Sequence, residues 1–363
     1  MPFLEGPRVL DPDEPAAGEI TRYQVTKYYR DLVAASPYRD QLKHIVEPSL
    51  QELASPGELD TSGEADNTVV TGLQHKYAET GLLLVTDRCT SYCRYCFRKR
   101  IVGKDSDEVA PDYAAVAAYI SRHPEMTNVL MSGGDPFVLS TRKLNAILDH
   151  LLPIPHLTSL RFGSKTTAFF PQRFHDTELP GLFARILEAG KTPIIVSHFD
   201  HVGEITEEAA TSVRMMRDLG VQYLNQCVLL GRVNDDPQTL AATIARLHEI
   251  GSRPYYVFQG RPVRGASHFQ VPIRRGLEIV RGASQQLSGI QKTFRFIMSH
   301  YTGKIEILDI ADGRLYLRYH QSPRPTEIGH IFSRPYVEGA CWLDDMPQDR
   351  PEPSDDRTLV RTP

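Results

Sequence analysis

The run Arg88-Cys89-Thr90-Ser91-Tyr92-Cys93-Arg94-Tyr95-Cys96 packs three of the chain's five cysteines into eight residues. Thiolates are soft ligands suited to iron-sulfur clusters, and three of them on a [4Fe-4S] cube leave one iron open to a cofactor or substrate. Two other readings are weaker. A structural zinc site usually takes four ligands, often as two separated C-x2-C pairs, and the chain has no second pair. A disulfide framework belongs to short secreted chains, whereas this one has 363 residues. Cys227 and Cys341 stand alone, as buried cysteines that act as small hydrophobes do.

A second group is Met131-Ser132-Gly133-Gly134-Asp135-Pro136. On its own Gly-Gly-Asp is a turn. After a strand, its glycines also permit close backbone approach, and exposed backbone groups there can bind a cofactor's amino group.

The elements that must hold these groups are legible as alternation. Short apolar runs at 82–86, 128–131, 159–162, 193–197, 222–228 and 254–258 read as six strands. Amphipathic stretches at 109–122, 144–152, 179–189, 207–219 and 237–250 lie between them, with Gly190, Gly220 and Gly251 as helix stops. The pattern predicts an α/β fold, an open (β/α)6 partial barrel of TIM type, with polar loops at the strand carboxyl ends lining the site. Residues 1–75 read as an N-terminal helical region, with Glu64-Ala65-Asp66-Asn67 as a linker, and 76–300 as the barrel core. Residues 301–343 carry a β-hairpin around Asp312-Gly313, and 344–363, rich in Pro, Asp and Arg, read as a disordered tail.

With 41% hydrophobic and 24% charged residues and a net charge of −4, the chain can bury a full core and shows no basic footprint for nucleic acid. It has no apolar run of membrane-spanning length and no signal-peptide pattern at its start. The expected compartment is a reducing cytoplasm, which also suits an oxygen-sensitive cluster.

The cysteine spacing resembles that of the radical S-adenosylmethionine (SAM) superfamily, and Ser132, Gly133, Gly134 and Asp135 resemble the motif that holds the SAM methionine end. Further segments resemble the lysine 2,3-aminomutase family. They are Arg161-Phe162-Gly163-Ser164-Lys165-Thr166, Pro171-Gln172-Arg173, Ser197-His198-Phe199-Asp200-His201, Asn225-Gln226-Cys227-Val228-Leu229-Leu230, Arg253-Pro254-Tyr255-Tyr256 and His268-Phe269. The resemblance runs in order from about residue 77 to 304.

It implies a PLP-assisted 1,2-amino shift that converts an α-amino acid to a β-amino acid, started by a 5′-deoxyadenosyl radical from SAM. PLP supplies electron delocalisation and the protein supplies placement and charge. Carried over, Cys89, Cys93 and Cys96 are the cluster ligands, and His198 and Gln226 are further SAM contacts. Arg98 pairs with the substrate carboxylate, Lys304 carries PLP, and Lys76 replaces an upstream phosphate-binding arginine. Each has a plainer reading: His198 as a core histidine, Gln226 as a loop cap, Arg98-Lys99-Arg100 as a solvated basic run, Lys304 as surface charge. The implied partners are a small amino-acid substrate and a reducing donor such as flavodoxin or ferredoxin, in a possible homo-oligomer.

The chain also departs from the family. Met298-Ser299-His300-Tyr301-Thr302-Gly303 replaces a Gly-rich stretch before the PLP lysine. Of the two aspartates that read the distal ammonium of lysine, one falls at Arg261 and the other near Ile297 or Met298. A cation facing an ammonium in a low-dielectric pocket costs on the order of several kcal/mol. Lysine is therefore the poorer candidate, and Arg261, with Arg264, suits a distal carboxylate or a phosphate, the plainer reading being a solvent-facing arginine. The alternatives are a PLP-independent radical SAM enzyme on the same scaffold and a non-catalytic iron-sulfur protein. One relative in the family modifies a translation elongation factor, so a macromolecular partner stays open.

Overall fold

The computed structural model describes residues 22–53 and 55–348. The strands are β1 (Thr68–Val70), β2 (Leu73–Tyr77), β3 (Thr80–Thr86), β4 (Asn128–Gly133), β5 (Ser159–Ser164) and β6 (Thr192–Ser197). They continue as β7 (Gln222–Leu229), β8 (Arg253–Gln259), β9 (Arg295–His300), β10 (Gly303–Ala311), β11 (Arg314–Gln321) and β12 (Ile331–Pro335). All twelve form one sheet in chain order. β3 to β9 are parallel, while β1–β2–β3 and β9–β10–β11–β12 pair antiparallel on the two flanks.

Parallel neighbours need crossovers, and helices supply them. These are α3 (Tyr113–Ser121), α4 (Thr141–Leu151), the short α5 (Thr166–Phe169) with α6 (Leu179–Glu188), α7 (Glu207–Asp218), α8 (Pro237–Glu249) and α9 (Ile273–Gln285). Asp112, Ser140, Thr206 and Asp236 accept backbone N–H bonds at the starts of α3, α4, α7 and α8. Gly190, Gly220 and Gly251 follow α6, α7 and α8 at φ of 71°, 84° and 80°, the left-handed conformation that ends a helix.

All six strands expected from the sequence are present, and β9 is a seventh parallel strand that the alternation did not reveal. Its apolar centre, Phe296-Ile297-Met298, is only three residues long and is flanked by polar ones. The region read as helical also contains strands. α1 (Lys27–Ala35) and α2 (Arg39–Val46) are followed by β1 and β2, which extend the sheet beyond β3. The hairpin around Asp312-Gly313 is β10 and β11. Asp344 to Gln348 carry described structure, with Met346 only 4% exposed, and residues 349–363 of the expected tail lie outside the described residues.

Strand alternation sorts the side chains by face. On β5, Leu160, Phe162 and Ser164 are buried and Arg161 and Gly163 are half-buried; on β7, Tyr223, Asn225 and Cys227 are buried and Leu224 and Gln226 half-buried. Leu160, Phe162 and Tyr223 join Val129 and Ile195 against α3, α4, α6 and α7 in one core, and β8 to β11 pack on α8 and α9 in a second. A third cluster joins α1 and α2 (Tyr29, Leu42, Ile45) to Phe169, Leu230 and Phe269, on segments that follow the carboxyl ends of β5, β7 and β8. Among the described residues no helix is long and apolar enough to cross a membrane.

Candidate functional site

The cysteine loop begins where β3 ends and is closed by Gly103 N–H donating to Asp87 O at 2.8 Å. The N-terminal segment pins it. Gln24 Nε2 donates to Cys89 O at 2.7 Å, Tyr92 N–H to Gln24 O at 2.9 Å, and Arg94 N–H to Ile45 O at 2.8 Å. Arg94, fully buried, forks onto Glu52 through Nε at 2.8 Å and Nη2 at 2.5 Å. The region read from sequence as N-terminal and helical is thus the clamp on this loop.

Cys89, Cys93 and Cys96 are half-buried and unlinked, and burial pushes all three thiols above their usual range. Such thiols are inert until a metal takes their protons. Three soft sulfurs on one loop suit an iron-sulfur cube, whereas a structural zinc ion takes four ligands.

The glycines of 131–136 have a structural cause. A Cβ on Gly133 would lie 2.3 Å from Thr86 O, and one on Gly134 2.1 Å from Arg88 O. Gly134 N–H donates to Thr86 O at 2.6 Å and Asp135 N–H to Arg88 O at 2.8 Å, so the end of β4 lies directly on the cysteine loop. The Asp135 side chain has a structural role of its own. Its buried carboxylate is already engaged by the N–H groups of Phe137, Lys165 and Thr166 and the Ser164 hydroxyl, at 2.8 to 3.0 Å. It caps the end of β5.

His198 lies 3.2 Å from Asp200 Oδ1, beside a buried network. Lys165 Nζ reaches Asp200 at 2.9 Å and Glu204 at 2.8 Å, while Tyr95 and Tyr29 hydroxyls donate to Asp200 and Glu204. Burial alone would raise Asp200, but His198 and Lys165 hold it well below the usual carboxylate range. Gln226 is half-buried on the same face of the sheet as Arg161.

Arg98 is not a solvated cation. Its side chain is 9% exposed, its Nε and Nη2 meet Glu64 Oε1 at 2.9 and 2.8 Å, and its Nη1 donates to Ser132 Oγ at 2.9 Å. Glu64, read from sequence as part of a linker, is 5% exposed and also accepts from Arg100. Phe97 carries both guanidinium groups, Arg98 at 4.6 Å from the ring centroid and Arg261 at 4.2 Å.

Arg261 bonds Ser62 and, at 2.7 Å, Ser299 Oγ. Arg264, expected to help it, is exposed and turns to Gly57 O at 3.2 Å. Lys76 Nζ donates to Ser62 O and His300 O, both at 3.2 Å. Lys304 Nζ donates to Gln321 Oε1 at 3.1 Å and lies 5.1 Å from the Tyr77 ring and 5.9 Å from the Tyr256 ring. Burial, reinforced by Arg161, Arg261 and Lys76, lowers Lys304 to about 7. Burial and Arg261 lower Lys76 to about 7, and Arg261 itself is lowered to about 10 by burial first.

The structure thus gathers Lys304, Lys76 and Arg261 into one cationic cluster and seats Arg98 with Ser132 beside it across Phe97. A surplus of close cations with lowered proton affinity is a receptor for an anion, and a lysine near neutrality is a nucleophile toward a carbonyl. These donors fit a phosphate-bearing aldehyde. Arg161, Tyr77 and Tyr256 also belong to this cluster and were not singled out as site residues. Arg161 lay within a quoted segment, and its place on the half-buried face of β5 was its signal.

Comparison with known proteins gives a consistent set of relatives. A protein of Aquifex aeolicus (strain VF5), provisionally named an L-lysine 2,3-aminomutase, is 41% identical over 325 residues, covering 89% of this chain and 87% of that one. L-lysine 2,3-aminomutase of Escherichia coli (strain K12) is 33% identical, covering 68% and 71%. Glutamate 2,3-aminomutase of Clostridioides difficile (strain 630) is 32% identical, covering 74% and 63%. A radical SAM methyltransferase from Sphaerobacter thermophilus overlays with a TM-score of 0.41 at 14% identity, over 62% of this chain and 68% of that one. No protein-family model matches.

Proposed function

The chain belongs to the lysine 2,3-aminomutase family of radical SAM enzymes, and from that premise we propose that it moves the α-amino group of an acidic amino acid to the β-carbon. The observation that carries the PLP-dependent reading is Lys304, held near neutrality among aromatic rings and cations.

In this reading Cys89, Cys93 and Cys96 would hold a [4Fe-4S] cluster, which with bound SAM would supply radical chemistry for hydrogen abstraction. Ser132, with the close-packed Gly133-Gly134 turn, lies beside the cluster loop, and His198 and Gln226 complete the SAM contacts. Asp135 completes this turn at the SAM methionine end while its carboxylate caps β5. Lys304 offers its neutral amine to PLP, whose ring supplies electron delocalisation. Lys76, Arg161 and Arg261 meet the anionic charge of the phosphate and of the substrate side chain. Arg98 keeps one N–H on each terminal nitrogen for the α-carboxylate.

An ammonium would enter this cluster against several close cations, and a carboxylate would be attracted by them. That contrast supports an acidic substrate, such as glutamate or aspartate, over lysine. The contact of Lys76 with His300 O, on strands far apart in the sheet order, supports a sheet curved into an open partial barrel with the site at its mouth. We extend the reading to a cytoplasmic enzyme reduced by a flavodoxin or ferredoxin.

The test is the visible absorbance of covalently bound PLP in the anaerobically reconstituted enzyme. The expected result is a band that is lost in Lys304→Ala while cluster absorbance remains. A band that survives in Lys304→Ala, or no PLP uptake by an enzyme that cleaves SAM, would favour PLP-independent chemistry.

A further inference from the structure

Glu64 is a buried carboxylate to which the reaction above gives no role. It meets Arg98 Nε and Nη2 through Oε1 at 2.9 and 2.8 Å and Arg100 Nη2 through Oε2 at 2.8 Å. Arg98 Nη1 is bonded to Ser132 Oγ at 2.9 Å. A guanidinium carries five N–H groups. Three are engaged, which leaves one N–H on each terminal nitrogen for a further acceptor such as a carboxylate.

The segment bearing Glu64 is built to stay. Asp60 accepts from the N–H groups of Ser62 at 3.3 Å, Glu64 at 2.9 Å and Ala65 at 3.0 Å, and Thr68 Oγ1 donates to Glu64 O at 2.8 Å. Upstream, Glu58 bridges Val263, and a Cβ on Gly57 would meet Pro262 O at 2.4 Å. The same segment contributes Ser62, which contacts both Arg261 and Lys76. A carboxylate on so fixed a turn is poorly placed to be displaced by substrate and well placed to hold an arginine.

We infer that Glu64 is the positioning residue for Arg98, fixing its guanidinium so that the uncommitted N–H on each terminal nitrogen receives the substrate α-carboxylate. The inference rests on the aminomutase reading of Arg98. Glu64 also offsets one of the cations gathered here, which lets Arg98, Arg100 and Arg261 stand close together before substrate arrives.

The test uses the reconstituted full chain with L-glutamate as probe, comparing Glu64→Gln and Glu64→Asp with wild type. Glu64→Gln keeps the shape and loses the charge. KM is expected to rise on the order of tenfold or more, with a much smaller fall in kcat and iron content matching wild type. Glu64→Asp, which keeps the charge on a shorter arm, is expected to recover part of the loss. Calorimetric binding of L-glutamate is expected to weaken in parallel. A lower KM in Glu64→Gln would identify the carboxylate as a competitor of substrate and overturn the inference. Unchanged KM and affinity, or a loss confined to iron content, would overturn it as well. Wild-type enzyme that neither binds nor turns over L-glutamate or L-aspartate would defeat the substrate reading itself, a distinguishable result.

Discussion

Lys304 Nζ stands 5.1 Å from the centroid of the Tyr77 ring, which joins β10 to β2, strands on opposite flanks of the sheet order. The contact puts the amine in an apolar, aromatic setting, and Arg161, Arg261 and Lys76 add repulsion, so the charged form is disfavoured twice.

That environment has a stability signature. Lys304 is lowered from 10.5 to about 7, so between those values the folded chain binds fewer protons than the unfolded one, and unfolding free energy rises with pH. Lys76, lowered over the same range by burial and Arg261, acts in the same direction. Cofactor-free enzyme should gain thermal stability from pH 7 toward pH 10.5, with a shallower slope in Lys304→Met. Melting temperatures that rise as steeply in the variant would contradict this.

Gly134→Ala should damage the cluster site. Its Cβ would press 2.1 Å from Arg88 O, backbone that carries the cysteine loop. The expected loss of stability is about 2 kcal/mol or more, with less iron retained per chain after reconstitution. Gly181→Ala on α6, with nothing within 4 Å, is the control and should be neutral or mildly stabilising. Equal iron content in the two variants would refute the close-packing account.

Lys165→Met should be costly although it keeps a side chain of similar size at a buried position. Asp200 and Glu204, both 0% exposed, would lose their shared cation, a penalty of about 3–5 kcal/mol when one partner of a buried pair is removed. Urea unfolding should read it, and a change below about 1 kcal/mol, typical of exposed pairs, would mean that the network is wetter than it looks.

Arg261→Asp tests the charge logic of the pocket. Replacing the guanidinium that stacks on Phe97 with a carboxylate should lower turnover of acidic amino acids and raise relative turnover of lysine. Competition assays with both substrates in one vessel measure the ratio directly. A ratio that does not move would show that Arg261 does not read the side chain.

Local pattern carried much of the fold: six parallel strands and their crossover helices follow from apolar alternation and glycine stops. β9 was hidden because three apolar residues between polar ones carry little periodicity. Chemistry written as spacing was equally legible, as the cysteine loop shows. Glu64 was not, because a polar residue among Asp, Asn and Gly reads as a linker, and only tertiary structure reveals that it meets an arginine 34 positions away. Asp135 carries a role that its motif did not show: its carboxylate accepts the N–H groups at the end of β5. Lys304 required both levels: its position came from the resemblance to the family, and its depressed proton affinity from strands that meet only in three dimensions.

The most direct measurement is mass spectrometry of a panel of α-amino acids incubated anaerobically with reconstituted enzyme, SAM, PLP and a strong reductant. The account predicts a product of unchanged mass and altered retention from glutamate or aspartate, absent with Lys304→Ala. Isomerisation of lysine in preference to both, or 5′-deoxyadenosine formation with no isomer from any amino acid, would contradict it.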